Sequence, residues 1–316
     1  MSKTPMTVIC GPTACGKTPA AIHLAQKLGG EIISADSMQI YKKMDIGTAK
    51  VTQEEMRGIV HHLVDELAPD EEYSVAIFKN KAAQLVNEIN SRGKMPIICG
   101  GTGFYLNALL YDIEFEVEPD NDREYRQYLE DMAKEKGVQH LHDMLAKIDP
   151  QAAKLTDVGN MKRVIRAIEY FHKHNAPISL HNKQQKEKRK EPVYSDAQVF
   201  VLCGERAEMY DRINRRVDAM VANGLVEEVT ALLEAGYSPA LTSMQGIGYK
   251  EIVKYLQNEC TLEEAITTVK RGTRHFAKRQ LTWFRHQMAG LNVTWVDIDE
   301  FGDNAAIGEE IYRMCK

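Results

Sequence analysis

The chain has 316 residues, of which 44% are hydrophobic and 27% are charged, and its formal net charge is −5. This composition is typical of a globular protein, and the length suits one large domain with an appendage, or two domains. No apolar run approaches the roughly 18 residues of a membrane span, and the polar start from Met1 to Thr4 does not look like a signal peptide. We therefore expect a cytoplasmic protein without a membrane partner.

The first predicted elements are a strand, a glycine-rich loop and a helix. The sequence GPTACGKT follows the apolar run that ends at Cys10, and it matches G-x-x-x-x-G-K-[ST] at every fixed position. Backbone N–H groups of such a loop converge on phosphate oxygens at the helix N-terminus. Lys17 would add charge, and Thr18 would offer a hydroxyl to Mg²⁺; the alternative is a turn that binds nothing. The predicted phosphate-binding residues are Gly11, Pro12, Thr13, Ala14, Cys15, Gly16, Lys17 and Thr18.

A second predicted strand, from Glu31 to Ser34, leads directly into Asp36. Carboxyl ends of strands in an open parallel sheet face the ligand crevice, so we expect Asp36 near the phosphate loop. A carboxylate at this position could act as a general base, bind Mg²⁺ through water, or only cap a turn.

A second glycine-rich strand-to-helix turn contains two adjacent glycines. Helical spacing runs from Val75 to Asn90, the run from Met95 to Cys99 predicts a buried strand, and Gly100 to Gly103 leads into an apolar helix. Close backbone packing explains a glycine pair as well as ligand binding does. The turn still lies at the predicted crevice end of the sheet.

The central part of the sequence predicts an insertion. Acidic residues and Pro119 interrupt the pattern after Glu114, the segment from Arg123 to His174 is helical in character, and a strand returns at Val199. We therefore predict an α/β fold, with a P-loop NTPase-like parallel sheet flanked by helices and a mainly helical insertion. The predicted boundaries are 1–115 for the first part of the core, 116–192 for the insertion, and 193–316 for the second part with its C-terminal helices.

One helix near the C-terminus carries a basic stripe. Arg271, Arg274, Lys278 and Arg285 recur at intervals of three, four and seven residues, which aligns them on one helix face. Such a stripe suits a phosphate backbone, and it is also common on a solvated face.

Seven sequence blocks occur in the order found in the bacterial tRNA dimethylallyltransferases, also called tRNA isopentenyltransferases, and the resemblance spans almost the whole chain. The blocks are GPTACGKT, ISADSMQIYKKMDIGTAK, HHLVD, GGTGFYLNALL, RVIRAIE, QGIGYKE and FAKRQLTWFR. The resemblance implies transfer of a dimethylallyl group from dimethylallyl diphosphate to N6 of the adenosine on the 3′ side of the tRNA anticodon. It implies that the loop holds the donor diphosphate rather than ATP, with Mg²⁺ as cofactor and the tRNA anticodon stem-loop as partner. We expect a monomer.

The resemblance also assigns roles to residues. Asp36 matches the base, Thr102 lies near the reacting groups, and Lys17 and Arg206 match groups that bind the diphosphate. The chain departs from the family at Cys15, where serine or valine is more usual, and at Asp157 to Gly159, where His-Pro-Asn is common. Predicted tRNA contacts, including three residues of the basic stripe, are Asp36, Ser37, Met38, Gln39, Thr102, Arg126, Lys162, Arg163, Val164, Ile165, Arg166, Gln245, Gly246, Ile247, Gly248, Tyr249, Lys250, Arg274, Lys278 and Arg285.

Three alternatives remain at this point. A P-loop small-molecule kinase leaves the DSMQ, GGTG and basic C-terminal blocks unexplained. An adenylate isopentenyltransferase, with the same donor but no tRNA, leaves the helical insertion and the basic stripe without a purpose. A nucleotide-dependent tRNA-binding switch would not need Asp36 beside a transferring group.

Overall fold

Parallel strands form one sheet in the computed structural model, which describes residues 5–113, 115, 122–188, 191–288 and 290–316. The order across this six-stranded sheet is β3-β2-β4-β1-β5-β6, and every pair of neighbours is parallel. The predicted α/β fold with a parallel sheet is confirmed. The strands are β1 (Thr7–Cys10), β2 (Glu31–Ser34), β3 (His61–His62), β4 (Pro96–Gly100), β5 (Gln198–Cys203) and β6 (Asn292–Asp297).

The central strand β1 pairs with β4 on one side and β5 on the other, so that Thr7 lies opposite both Ile97 and Gln198. All residues of β1, β2 and β4 are buried, as expected for parallel strands covered on both faces. Because β4 lies between β2 and β1, the three loops that follow these strands meet at one edge of the sheet.

Among the described residues before the insertion, three helices connect β1 to β2, β2 to β3 and β3 to β4, and a fourth follows β4. The helix predicted from Val75 is one residue longer than its spacing indicated, and Ser74 caps it through a hydrogen bond from the Ile77 N–H. These helices are α1 (Lys17–Leu28), α2 (Gln53–Met56), α3 (Val75–Ser91) and α4 (Gly103–Leu110).

Two compact units make up the chain. One combines Met1–Asp112 with Pro192–Lys316 and contains the sheet, and the other is Ile113–Glu191. The described residues of the second unit form helices around their own core, which includes Leu129, Leu141 and Val164. Its helices are α5 (Asp122–Lys136), α6 (Val138–Ile148), α7 (Pro150–Leu155), α8 (Met161–His174) and α9 (Ile178–Lys188).

The last part of the chain completes the first unit. Ile307 and Ile311 of the C-terminal helix share a buried core with Ile22 and Leu24 of α1. None of the helices in the described ranges is both long enough and apolar enough to cross a membrane. The remaining helices are α10 (Arg206–Ala222), α11 (Leu225–Glu234), α12 (Tyr249–Leu256), α13 (Leu262–His286) and α14 (Asn304–Met314).

Candidate active site

The loop from Gly11 to Thr18 connects β1 to α1 at the edge where the three strand ends meet. Gly16 has a φ of 78°, in the left-handed region that favours glycine, and a Cβ built on it would lie 2.2 Å from Oδ1 of Asn304. Lys17 folds back over the loop, and its Nζ donates to the backbone oxygen of Pro12 at 2.5 Å. The loop thus presents backbone N–H groups and one ammonium group at the N-terminus of α1.

A cleft of about 750 Å³ opens above this loop. Its walls come from the loops after β1, β2 and β4 and from α10, α13 and the start of α14. The cleft therefore combines the predicted phosphate loop with Asp36 and Gln39. Residues that matter for its chemistry are Thr13 to Thr18, Asp36, Gln39, Gly100, Arg216 and Gln280.

Asp36 is half-buried in this cleft. Its Oδ1 accepts a hydrogen bond from the Met38 N–H at 2.9 Å, which closes a turn of the Asx type. Within the part of the chain that the structure describes, no hydrogen bond to Oδ2 is found. The carboxylate therefore both shapes its own turn and keeps one oxygen that can take a proton.

Thr102 ties the loop after β4 to the loop after β2. Its backbone N–H donates to the oxygen of Ala35 at 3.2 Å, and its Oγ1 accepts from the Ser37 N–H at 3.2 Å. A threonine hydroxyl that accepts one hydrogen bond can still donate its own proton. Thr102 lies beside the cleft-lining Gly101, although it is not itself among the residues that line the cleft.

The side chain of Gln39 is oriented by the loop that follows it. Its Nε2 donates to the backbone oxygens of Thr48 at 3.3 Å and Ala49 at 3.1 Å. That loop is in turn held by Glu228, whose carboxylate accepts the N–H groups of residues 45–47 at 2.7 to 3.0 Å. Because the donor of Gln39 is engaged, its amide oxygen is the group left for a ligand.

Two arginines, Arg57 and Arg216, line the cleft, and the predicted Arg206 is not one of its lining residues. Arg216 lines the cleft and donates to Oγ1 of Thr13 at 3.4 Å. Burial lowers the pKa of the Arg216 guanidinium, and the Asp36 carboxylate opposes that change. Arg206 is exposed, donates to the hydroxyl of Tyr210 at 3.1 Å, and is not among the residues that line the cleft.

Two buried thiols lie near the phosphate loop, Cys10 at the end of β1 and Cys99 on β4 at the wall of the cleft. Burial raises the pKa of Cys10 and raises that of Cys99 to about 12, although the nearby Lys17 opposes both changes. Both thiols are therefore neutral at physiological pH and add no negative charge beside the predicted phosphate site.

The predicted tRNA contacts of the helical unit differ in exposure. Lys162, Arg163 and Arg166 are exposed on α8, whereas the side chains of Val164 and Ile165 are buried in the core of that unit. Arg126 makes a two-pronged ion pair with Glu169, at 2.8 and 2.7 Å. The basic groups of this set are thus on the surface of α5 and α8, and the two apolar residues support α8 from inside.

The basic stripe on α13 is also not uniform. Arg271, Lys278 and Arg285 are exposed, but Arg274 is half-buried and its guanidinium donates to Oδ1 of Asn214 at 2.6 Å. Arg274 therefore supports the packing of α13 on α10 as well as carrying charge.

The predicted segment Gln245 to Lys250 contributes in two ways. Tyr249 is buried and its hydroxyl donates to Glu228 at 2.7 Å, which supports the loop that orients Gln39. A Cβ on Gly246 would lie 2.7 Å from Cε of Met38, so this segment packs directly against the DSMQ segment. The structure thus brings residues 36–39 and 245–250 together.

Comparison with known proteins identifies the family. The sequence profile described as IPP transferase matches residues 39–287. The chain belongs to the IPP transferase family. It is 50% identical over 310 residues to the tRNA dimethylallyltransferase of Lachnoclostridium phytofermentans, covering 98% of this chain and 97% of that one. It is 52% identical over 303 residues to the tRNA dimethylallyltransferase of Acetivibrio thermocellus, covering 95% and 94%.

Solved structures of the IPP transferase family agree with this fold. The tRNA isopentenylpyrophosphate transferase of Bacillus halodurans superposes with a TM-score of 0.72 at 44% identity, over 99% of this chain and 96% of that one. A eukaryotic dimethylallyltransferase acting on tRNA superposes with a TM-score of 0.78 at 30% identity, over 96% of this chain and 77% of that one.

Proposed function

We propose that this IPP transferase moves a dimethylallyl group from dimethylallyl diphosphate to N6 of the adenosine adjacent to the anticodon on its 3′ side in tRNA, and releases diphosphate. The names of the relatives support tRNA as the acceptor. The observation that carries the proposal is the position of Asp36, whose carboxylate shares one cleft with the phosphate loop. The cleft therefore offers a base for the adenine amine and, beside it, a binding site for the diphosphate that leaves.

The acceptor side of the reaction needs a base. The lone pair of the adenine N6 amine is delocalised into the ring, so the amine is a poor nucleophile. Removing its proton while the carbon–nitrogen bond forms lowers the barrier. Asp36 suits this step because one carboxylate oxygen is held by the Met38 N–H and the other is available to the amine.

The donor side needs positive charge. As the allylic carbon–oxygen bond breaks, negative charge grows on the diphosphate, and preorganised donors stabilise it. The N–H groups of the loop, the ammonium of Lys17 and the guanidinium of Arg216 supply this charge in the proposed mechanism. Lys17 would exchange its hydrogen bond to the Pro12 oxygen for one to the diphosphate.

Mg²⁺ fits the donor set of this cleft. Among the described residues, no group of three or more His, Cys, Asp and Glu side chains is arranged to hold a metal ion. Mg²⁺ is commonly held by one or two protein oxygens together with substrate phosphates and water, and the Thr18 hydroxyl at the start of α1 is such an oxygen. When bound there, Mg²⁺ supplies further positive charge to the departing diphosphate.

The tRNA base would enter the cleft after leaving its stack, as enzymes that modify a base generally require. The Gln39 amide oxygen can accept an N–H group from a base edge, since the donor of that amide is engaged. The exposed arginines and lysines of α8 and α13 suit the phosphate backbone. A monomeric state and a cytoplasmic location stay predictions.

The choice of acceptor, tRNA or free adenosine monophosphate, distinguishes this proposal from an adenylate isopentenyltransferase. Incubation with labelled dimethylallyl diphosphate, Mg²⁺ and either unmodified tRNA or adenosine monophosphate should label the tRNA only. Label transferred to the free nucleotide at a comparable rate would favour an adenylate isopentenyltransferase. Phosphate transfer from ATP to a small molecule would favour the kinase alternative.

Arg216 and Arg206 give a matched pair of variants on one helix. We expect Arg216→Ala to lower the rate of prenyl transfer about tenfold to a hundredfold, because a charge beside the diphosphate is lost. Arg206→Ala should stay within about threefold of the wild type, since exposed pairs contribute little. Steady-state rates at saturating tRNA measure both, and the reverse order would return the diphosphate role to Arg206.

The basic stripe should act on all tRNAs alike. The double variant Lys278→Ala, Arg285→Ala should weaken tRNA binding whatever the anticodon sequence, and should reduce the slope of log K against log salt by about one for each lost phosphate contact. Lys270→Ala, on the same helix but paired with Asp218 at 2.6 Å, is the control. Filter binding at several salt concentrations measures the slope, and a loss confined to one anticodon sequence would place these residues at the bases.

A further inference from the structure

Gln280 is a polar residue on the buried face of α13. The residue is only 7% exposed, and its neighbours on that face, Ala277 and Phe284, are buried and apolar. A buried amide is costly unless its donor and acceptor are both paired. Both are paired here: Nε2 donates to the backbone oxygen of Gly101 at 2.9 Å, and Oε1 accepts the Thr13 N–H at 2.9 Å.

The bond to Thr13 removes one N–H group from the phosphate loop. The N–H groups at the helix end of such a loop, from Gly16 to Thr18, face a phosphate above the helix N-terminus. Thr13 lies toward the β1 end of the loop, and a phosphate chain that continued along the loop from the helix end would reach it. Its N–H bonds to Gln280 and its hydroxyl accepts from Arg216, so both groups already have partners.

The amide of Gln280 is also fixed in place. A Cβ built on Gly101 would lie 2.4 Å from Nε2 of Gln280, so the amide rests directly against the backbone of the turn after β4. It cannot swing toward Gly101 to make room. Its oxygen, an acceptor with partial negative charge, stands at the Thr13 end of the loop and would repel the oxygens of an additional phosphate.

We propose that Gln280 makes the phosphate loop selective for a diphosphate over a triphosphate. It does so by occupying the Thr13 N–H and by holding its amide oxygen against that end of the loop. This role rests on the proposed function and adds specificity to it, because a cell holds abundant nucleoside triphosphates that would otherwise compete with the prenyl donor for the loop.

Direct binding of inorganic phosphates tests this role without any prenyl transfer. Titration calorimetry with inorganic diphosphate and inorganic tripolyphosphate, each with excess Mg²⁺, gives the ratio of the two dissociation constants for the full-length protein. We expect the wild type to prefer diphosphate. Gln280→Ala should lower this preference about tenfold, because the Thr13 N–H and the volume of the Gln280 side chain become available to tripolyphosphate. A tenfold change corresponds to about one hydrogen bond to a charged group.

Three further variants sharpen the test. Gln280→Met keeps the volume but removes the acceptor, so its preference should also fall, and it replaces Gln280→Ala if that variant does not fold. Gln280→Glu keeps an acceptor for the Thr13 N–H and should still exclude tripolyphosphate. Gln84→Ala, an exposed glutamine on α3 bonded to Glu88, is the control and should leave the ratio unchanged.

The outcomes separate the two proposals. A wild type without preference for diphosphate, or an unchanged ratio in both Gln280→Ala and Gln280→Met, overturns the role of Gln280 even if tRNA is prenylated. A preference that falls in both variants supports the role of Gln280, and it does so even if prenyl transfer to tRNA fails and the proposed function is withdrawn.

Discussion

The variant Asp36→Asn should transfer the prenyl group about a hundred to ten thousand times more slowly than the wild type, while tRNA and dimethylallyl diphosphate still bind. General bases contribute about this much to a rate. The asparagine keeps an Oδ1 that can accept the Met38 N–H, so the turn at residues 36–38 should keep its shape. What is lost is the ability to take the N6 proton. Single-turnover transfer at saturating substrates measures the chemical step without contributions from binding.

A second Asx turn supplies the control. Asp157 accepts the Gly159 N–H at 2.8 Å in the same way, but it lies in the helical unit and is not among the residues that line the cleft. Asp157→Asn should therefore keep the wild-type rate. Near-normal transfer by Asp36→Asn would mean that Asp36 only orients the adenine or caps its turn, and its assignment as the base would be withdrawn.

Lys17→Ala should lower the rate of prenyl transfer by about a hundredfold or more, with little change in tRNA affinity. Removing one preorganised donor from a developing negative charge typically costs this much. The Lys17 ammonium lies over the phosphate loop, 2.5 Å from the Pro12 oxygen, where the proposed mechanism places the donor diphosphate and not the tRNA. Rates with labelled donor and a filter-binding titration with tRNA separate the two effects.

Lys27→Ala is the matched control on the same helix. Lys27 is in the last turn of α1 and pairs with Glu309 at 3.1 Å, away from the loop. Its loss should leave both the rate and the tRNA affinity unchanged. A loss of tRNA affinity in Lys17→Ala as large as the loss of rate would contradict the assignment of the loop to the prenyl donor.

The sequence alone was sufficient for strands β1, β2, β4 and β5 and for the meeting of the loops that follow the first three of them. The apolar strands are continuous and buried on both faces, so their hydrophobic runs identify a parallel sheet without its order being known. Each motif-bearing loop follows a strand, and parallel strands present their carboxyl ends at the same edge. This is why Lys17, Asp36 and the Gly100–Gly101 pair could be expected at one cleft from their place after a strand.

Helical periodicity could not decide which of Arg206 and Arg216 lines the cleft. Both lie three and seven residues from the buried positions Met209 and Ile213, so both belong to the inner face of α10. The difference arises from the packing of α10 against the phosphate loop, which brings Arg216 to Thr13 and leaves Arg206 at the exposed first turn. Such a long-range contact is not encoded in the spacing of one helix.

The sequence did contain a detectable signal for Gln280. It occupies a position between Ala277 and Phe284 where helical spacing calls for an apolar residue, and a polar residue there indicates a buried hydrogen-bonding partner. The identity of that partner, the N–H of Thr13, depends on tertiary packing across most of the chain. Val164 and Ile165 are the opposite case, apolar residues within a predicted RNA-contact segment. Their side chains are buried in the core of the helical unit.

We have proposed that one cleft joins a diphosphate donor to the adenine of a tRNA. Nucleoside analysis by mass spectrometry tests this on unmodified tRNA after incubation with the protein, dimethylallyl diphosphate and Mg²⁺. We expect one N6-dimethylallyl adenosine per tRNA, at the position adjacent to the anticodon on its 3′ side, with release of one diphosphate. Diphosphate release without modified adenosine, or modification at other positions, would contradict it.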